Sequence, residues 1–215
     1  NISNTAPYNS LVGYWSFDGD KQNTLLTTHY DFTNNNNDGT GVGGANASSA
    51  GCIYDDCLQL DGSGDYVSIT NSDSLQNLGN LSDLTISLWL KMNDLANWRA
   101  LVIKDSYSLG YGMMVSDTGD VRIYNTGTSP FGTTDIDTNF ATNTWYHFAF
   151  TYNHTGIAGY KNGAFVSSLE RTGNITSTTS PLYIGQSSVG GYFFNGTIDE
   201  VMIFNTSLTS AQITD

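Results

Sequence analysis

Short segments of β-branched and aromatic residues recur along the chain, and clusters of Gly, Asn, Asp and Ser separate them. Apolar and polar residues alternate in Thr85–Lys91, and aromatic residues occupy every second position of much of Trp145–Tyr152. A period of two residues is typical of antiparallel strands that pack one face on a core. The pattern predicts twelve strands, at Leu11–Phe17, Cys57–Leu60, Tyr66–Thr70, Thr85–Lys91, Ala100–Lys104, Gly112–Val115, Val121–Tyr124, Trp145–Tyr152, Ala158–Lys161, Phe165–Leu169, Leu182–Ile184 and Ile198–Phe204.

This strand pattern predicts an all-β, antiparallel two-sheet sandwich or jelly roll. The one helical feature is at the tail, where Thr209 and Gln212 fit a capping box that opens a single short turn. The segment from Asn34 to Ala50, which is rich in Asn and Gly, is predicted to be a long loop. Because no Pro-rich or charged linker divides the chain, we predict one domain over residues 1–215.

The net charge of the chain limits the kinds of molecule that it is expected to bind. The 215 residues include 7 Lys and Arg against 20 Asp and Glu, a net charge of −13. Nucleic-acid binding requires clustered cations, so it is not expected, and neither is binding to an anionic membrane. No segment approaches the ~18 apolar residues of a membrane span. Because the chain has neither a start methionine nor a signal peptide, we expect a mature or excised segment, one domain of a larger polypeptide.

The two cysteines, Cys52 and Cys57, lie close together in the sequence. A zinc site would need a second Cys or His pair at suitable spacing, and the three histidines do not supply one. A disulfide is therefore predicted, with two reduced thiols as the alternative. A disulfide implies an oxidising compartment, so we expect an extracellular or cell-surface location.

Several motifs in the chain occur in the order and spacing found in a known domain family. They are Leu11–Gly19, Asp38–Thr40, Leu60–Ile69, Leu84–Lys91, Trp145–Tyr152, Asn162–Gly163, Phe194–Phe204 and Leu208–Ile213. Over about residues 11–213 the chain resembles the laminin-G-like (LamG/pentraxin-like) domains of the concanavalin A-like lectin/glucanase superfamily. The resemblance implies a jelly roll of two antiparallel sheets, one of them concave. It also implies a module that binds glycans or proteins, or that serves as a spacer.

The resemblance further implies a structural calcium ion. Asp199 matches the family's Ile-Asp-x-Val strand, while Asp31 and Asn34 match its ligand loop, and Asp18 of Phe-Asp-Gly is a neighbouring candidate. Calcium takes six to eight oxygen ligands, usually on loops. The alternative is that Asp199 bonds only backbone groups and that Asp18 and Asp31 are turn residues.

The carboxylates do not form a recognisable catalytic motif. Related glucanases place their pair on one strand as Glu-x-Asp-x-x-Glu, whereas Glu170 and Glu200, the only glutamates, are far apart in this sequence. Asp135 and Asp137 could mimic a pair, but their flanking residues favour a turn. His147 is interpreted as a sheet residue, and no Gly-x-Ser-x-Gly elbow occurs. Enzymatic activity is therefore not expected.

Aromatic residues supply the candidates for sugar binding, because sugars stack their C–H faces on aromatic rings. Trp15, Trp89 and Trp145 lie in strand motifs and are assigned mainly to structure. Other aromatic candidates have loop-like neighbours, and these residues could line a rim or a face; they are Trp98, Tyr107, Tyr111, Phe131 and Tyr192. Arg122 is a further candidate, as a polar residue near which such rings could cluster. The sequence thus predicts a non-catalytic module that binds carbohydrate or mediates adhesion, and whose partner is a glycan or a surface protein. The alternatives are a protein-interaction or spacer domain and a glycan-active enzyme.

Overall fold

The computed structural model describes residues 8–19, 21–22, 27–76, 78, 83–105, 110–128, 133–137, 141–188 and 191–214. After a 3-10 turn at Tyr8–Ser10, the strands are β1 Leu11–Trp15, β2 Lys21–Gln22, β3 Thr27–His29, β4 Gly39–Val42, β5 Asn46–Ser48, β6 Cys57–Asp61, β7 Tyr66–Ile69, β8 Asp83–Met92, β9 Arg99–Lys104, β10 Tyr111–Val115, β11 Val121–Asn125, β12 Thr133–Asp137, β13 Trp145–Asn153, β14 Gly156–Lys161, β15 Ala164–Glu170, β16 Leu182–Ile184 and β17 Asn195–Phe204. Two short helices are α1 Asp73–Gln76 and α2 Ser210–Thr214. Within these residues, no helix is long and apolar enough to cross a membrane.

The strands form two antiparallel sheets. The first has the order β15-β14-β13-β8-β17-β6-β5, with β1 paired to the second half of β17. The second has the order β12-β11-β10-β9-β16-β7-β4-β3-β2. This architecture confirms the predicted all-β two-sheet sandwich.

The main core lies between the two sheets, and β8 shows how the sequence builds it. Ile86, Leu88 and Leu90 are fully buried, whereas the alternating Ser87 and Trp89 are only half-buried on the opposite face. Burying one such aliphatic side chain contributes about 1.5–3 kcal/mol. The strand therefore supplies core residues on one face and leaves the other face available to a ligand.

A second apolar cluster lies on the outer face of the first sheet. Phe204 of β17 packs there with Leu208 and Ile213, which belong to the C-terminal segment and α2. The backbone N–H of Thr209 donates to Gln212 Oε1 at 2.9 Å, and the Gln212 N–H donates to Thr209 Oγ1 at 3.4 Å. This reciprocal pair confirms the predicted capping box and fixes α2 against the sheet.

The segment predicted as a long loop contains two strands, β4 and β5, so that prediction was wrong. The glycines of β4 serve close packing rather than a turn. A Cβ at Gly39 would overlap Val67 Cγ1, and one at Gly41 would lie 2.7 Å from the Ala45 carbonyl oxygen. The turn predicted around Asp135 and Asp137 is likewise strand β12, paired with β11.

Lys104, on β9 in the second sheet, is a buried cation. Its side chain is 1% exposed, and its ammonium group donates to Asn71 Oδ1 and to the Ser180 carbonyl oxygen. Burial lowers the pKa of Lys104 to about 8, and Asp105 opposes the shift. Both described acceptors are neutral, so the charge of this lysine is poorly compensated within the fold.

Candidate functional site

A cleft of about 460 Å³ opens on the outer face of the first sheet. Its floor is made by adjacent strands: Ser87 and Trp89 on β8, His147 on β13 and Met202 on β17. The same alternation that sends Leu88 into the core turns these side chains outward. The cleft is thus built on the most extensively paired part of the sheet, which makes its floor rigid.

The walls come from the segments that flank the sheet. Tyr54, between the two cysteines, stands on one side, and α2 contributes Gln212 and Ile213 on another. Tyr8 and the Asn162–Gly163 turn complete the rim. Aromatic and amide side chains therefore surround an open depression in the sheet.

The aromatic centre of the cleft is Trp89. Its ring centroid lies 6.4 Å from that of Tyr54 in an edge-on arrangement at 84°, and 5.3 Å from the His147 ring at 52°. Such contacts hold the indole in a fixed orientation. A fixed ring bordered by hydrogen-bonding groups suits a ligand with both apolar and polar faces.

Two neutral polar groups lie beside the indole. Ser87 Oγ and His147 Nε2 are 2.7 Å apart and share a hydrogen bond. Burial lowers the pKa of His147 to about 4, so the imidazole is neutral at pH 7. Asn162 Oδ1 accepts from the backbone N–H of His147 at 2.9 Å, which ties the rim turn to β13.

A β-bulge places Glu200 at the edge of the cleft. The pairing of β17 with β8 shifts between Asp199 and Met202, and Glu200 has a φ of 52°. Bulges of this kind redirect a side chain out of the regular alternation. Glu200 Oε2 accepts a hydrogen bond from the Tyr14 hydroxyl at 2.7 Å. Burial raises the pKa of Glu200, the Tyr14 hydrogen bond opposes this effect, and Asp18 adds to it.

The disulfide predicted from the sequence is present between Cys52 and Cys57. The loop that it closes is fastened to the sheet through the carbonyl oxygen of Gly51, which accepts from Lys91 Nζ at 2.6 Å and from Trp145 Nε1 at 3.1 Å. The disulfide loop, residues 51–57, therefore carries Tyr54 as a positioned wall of the cleft.

Two of the four predicted calcium ligands lie next to the disulfide loop. Asp199 is fully buried and accepts from the Glu200 N–H at 2.9 Å and the Tyr54 N–H at 3.4 Å. Asp18 Oδ1 accepts from the Asp56 N–H at 2.9 Å. Burial raises the pKa of Asp199 to about 7, with Glu200 and Asp18 adding to the rise and the two backbone hydrogen bonds opposing it. A cation beside Asp18 and Asp199 would relieve this uncompensated charge.

The other two predicted ligands are placed differently. Asp31 Oδ1 accepts from the N–H groups of Tyr14 and Thr33, and its Oδ2 accepts from the Asn37 N–H and the Thr33 hydroxyl, at 2.8–3.0 Å. These four bonds tie the Asp31 carboxylate to its own loop and to β1. Asn34 is exposed. Across the described residues, no three His, Cys, Asp or Glu side chains converge to hold a metal. Of the four residues, Asp18 and Asp199 lie beside the disulfide loop, whereas the Asp31 carboxylate is used in bonds to its own neighbours.

The sequence-predicted sugar-binding residues do not gather at the cleft. Trp98 and Arg122 meet on the second sheet, where the guanidinium carbon lies 4.6 Å from the indole centroid and Arg122 pairs with Asp135 at 3.0 Å. Tyr192 is 38% exposed near the start of β17. Tyr111 is 2% exposed and lies in the core between the sheets. Because it is buried there, it is not placed to contact a ligand, contrary to the prediction.

Two further predicted residues, Tyr107 and Phe131, lie outside the described part of the chain. The cleft residues that sequence reasoning missed are Trp89, Tyr54 and Glu200, and Trp89 had been assigned to structure. A signal for Trp89 was present, because it alternates with the aliphatic residues of β8 and so occupies the polar face of its strand. A tryptophan on that face lies outside the main core between the sheets. Nothing comparable in the sequence pointed to Glu200, whose position depends on a bulge.

The structure is a two-sheet antiparallel β-sandwich with an open cleft on the outer face of one sheet. The chain belongs to the concanavalin A-like lectin/glucanases superfamily, because the Laminin_G_3 family model of that description matches residues 61–214. The resemblance seen in the sequence is therefore confirmed. A search of curated proteins found no match.

Solved structures with the same fold include binding domains. Domain 4 of AbnA, an extracellular GH43 arabinanase from Geobacillus stearothermophilus solved with arabinotriose, is 21% identical, with a TM-score of 0.70 over 96% of this chain and 97% of that one. The binding domain of Paraclostridial Mosquitocidal Protein 1 is 16% identical, with a TM-score of 0.74 over 96% of this chain and 51% of that one.

A third structure concerns botulinum neurotoxin type C, whose cell entry depends on two ganglioside molecules. It is 13% identical, with a TM-score of 0.70 over 96% of this chain and 50% of that one. The present chain thus spans about half the length of the two toxin chains. At these identities the similarity establishes the fold.

Proposed function

We propose that this chain is a non-catalytic carbohydrate-binding module of an extracellular or cell-surface protein, and that its glycan lies in the cleft over Trp89. The observation that carries the proposal is the fixed indole on the cleft floor, bordered by Tyr54 and by the Ser87–His147 pair. An aromatic face takes the C–H side of a sugar, and the polar groups beside it bond its hydroxyls. The arabinotriose complex of AbnA domain 4 supports a glycan as the ligand class.

The placement of the carboxylates supports a binding role rather than hydrolysis. Retaining glycosidases hold two carboxyl groups about 5–5.5 Å apart across the scissile bond. Here Glu200 lies at the cleft, whereas Glu170 is exposed at the end of β15. Asp135 is paired with Arg122 on the other sheet. Asp199, beside Glu200, is buried and bonded to backbone groups.

A calcium ion beside Asp18 and Asp199 is part of the proposal. Both carboxylates bond backbone N–H groups of the disulfide loop, so an ion there would brace the loop that carries Tyr54. The ion would supply positive charge to a buried acidic pair. The disulfide supports secretion, because such bonds persist in oxidising compartments.

The test is a polysaccharide and glycan-array screen of the purified chain, in calcium and in EDTA, followed by calorimetry on the glycan that binds best. Trp89→Ala should weaken binding at least about fivefold, because stacking on one ring contributes about 1–3 kcal/mol in comparable aromatic sites. The matched control is Trp98→Ala, which removes the indole of the second sheet and should leave the affinity unchanged. If Trp98→Ala weakens binding and Trp89→Ala does not, the site lies at the Trp98–Arg122 pair instead. If no glycan on the array binds, a lectin role is excluded.

A protein partner is the second candidate, supported by a different surface. The edge strand β15 leaves Phe165 56%, Val166 41% and Leu169 39% exposed. Unpaired apolar edges are suited to pairing with another chain. If the array is silent, pull-down with wild-type protein and with Phe165→Ser would test this candidate, and equal capture by both would exclude the edge.

A further inference from the structure

Resting on the proposed glycan site, we infer that the cleft selects neutral sugars over anionic ones and that Glu200 sets this specificity. The selection concerns sugars of the same size and linkage that differ by a carboxylate, such as a hexose and its uronic acid. Glu200 is the discriminating group because it brings a negative charge to the cleft wall. Its contribution is separate from that of Trp89, which holds either type of ring.

The orientation of Glu200 is fixed by the backbone and by one hydrogen bond. The bulge between Asp199 and Met202 turns the side chain out of the strand alternation, and the positive φ of Glu200 belongs to that bulge. The Tyr14 hydroxyl then donates to one carboxylate oxygen. A carboxylate has about four acceptor positions, so Glu200 can still accept from sugar hydroxyls. A positive φ at a glutamate costs free energy, which is consistent with a functional requirement for this orientation.

The charge at the cleft is negative. Glu200 is the one charged residue among the described residues that line it. Asp18 and Asp199 lie close enough for their charges to act on Glu200 or on each other. In EDTA their negative charge adds to that of Glu200, whereas a calcium ion bound beside them would offset it and leave Glu200 as the negative group at the cleft. An anionic sugar would therefore meet repulsion in a partly water-excluded site, where charge interactions are stronger than in bulk water.

Among the basic residues whose side chains the structure describes, none lines the cleft to supply the opposite charge. The chain has 7 Lys and Arg in all. Lys104 and Arg171 are 1% and 2% exposed, and Arg99 pairs with Asp94 at 2.7 Å. Arg122 pairs with Asp135 on the second sheet.

Lys91 and Lys161 are the other basic residues whose side chains the structure describes, and neither lines the cleft. Lys91 lies on the same face of β8 as Trp89, but its Nζ donates to the Gly51 carbonyl oxygen at 2.6 Å and the residue does not line the cleft. Lys161 pairs with Phe148, whose ring faces the core, and its ammonium lies 4.4 Å from the Tyr146 ring centroid. Lys21 is on β2, the edge strand of the second sheet. A uronic acid, sialic acid or sulfated sugar would thus find no described cation at the cleft to pair with.

The experiment compares matched neutral and acidic glycans by calorimetry at pH 8, in calcium and in EDTA. Suitable pairs are methyl-esterified with de-esterified polygalacturonan fragments and a methyl hexoside with the methyl glycoside of its uronic acid, together with any neutral ligand that the array identifies and its carboxylated counterpart. We expect the wild-type chain to bind the neutral member at least about tenfold more tightly. Glu200→Gln keeps the shape and an acceptor for Tyr14 while removing the charge, so this ratio should fall to about threefold or less.

The control is Glu170→Gln, which removes the other glutamate from the exposed end of β15 and should leave the ratio unchanged. Melting temperatures establish that both variants are folded, and the wild-type ratio tests the selectivity without any variant. If the acidic sugar binds the wild type as tightly as the neutral one in either buffer, the selectivity is overturned while the lectin function stands. If neither sugar binds, the lectin function fails and the selectivity with it. A ratio that survives Glu200→Gln removes Glu200 from its role.

Discussion

The disulfide loop offers the sharpest test of how local structure supports the cleft. We consider the double variant Cys52→Ser and Cys57→Ser. The bond joins residues separated by 5 in sequence. In the chain-entropy description, removing such a short cross-link costs about 2 kcal/mol of folding free energy, since the loss grows only logarithmically with loop length. For a chain of this size that corresponds to a fall in Tm of roughly 4–8 °C.

The same variant should weaken ligand binding. Tyr54 contacts Trp89 edge-on from within the loop, and the loop is fastened at Gly51. Without the covalent bond the loop gains conformations in which Tyr54 leaves the wall of the cleft. An aromatic pair contributes about 0.5–1.5 kcal/mol, so affinity should fall by a factor of about two to ten.

Scanning calorimetry and binding calorimetry on the same protein give the two numbers. Tyr54→Ala is the companion variant, because it removes the ring while the disulfide remains; it should lower affinity to a similar degree with little change in Tm. A disulfide variant with an unchanged Tm would refute the entropic argument. A lower Tm with full affinity would instead show that Tyr54 does not depend on the bond for its position.

Two further predictions concern buried charge. The pKa of Lys104 lies below its ordinary value of 10.5, at about 8, so the unfolded chain binds more protons between these pH values and stability should rise as pH increases from 8 to 10.5. Denaturant unfolding should show that the unfolding free energy of the wild type gains roughly 1–3 kcal/mol more between pH 8 and 10.5 than that of Lys104→Met. If the two pH profiles of stability are parallel, the prediction is contradicted. Adding calcium to metal-stripped protein should raise Tm, with a stabilisation of about 2.7 kcal/mol at one hundred times the dissociation constant. Asp199→Asn should abolish this increase, and a Tm that is equal in calcium and EDTA would exclude the ion.

The fold was largely predictable because strands such as β8 alternate between buried and half-buried residues. Leu88 and Leu90 are separated by an outward residue, and this period of two identifies a half-buried strand without further information. The prediction failed at β4, where Gly39 allows Val67 to approach closely. A glycine that is required by packing cannot be distinguished in sequence from one required by a turn.

The site was less predictable than the fold. Spacing identified the disulfide, because two neighbouring cysteines leave few options. Loop-like neighbours in the sequence favoured Trp98 over Trp89 as a ligand-binding residue, although the cleft lies on the sheet. The position of Glu200 follows from a register shift between β17 and β8, which is a property of two strands together. Information of that kind is not carried by any single segment.

Strand β17 also governs when the protein can acquire its structure. It is the last strand in the chain, yet it lies in the middle of the first sheet and pairs with β1, β6 and β8. Until it has been synthesised, β8 and β6 have no neighbour on that side, and the contact between Leu11 and Phe204 spans nearly the full sequence. Contacts at such separation slow folding, because the chain entropy is lost before the contacts form. We therefore expect the first sheet to close late in folding, when β17 pairs with its neighbours.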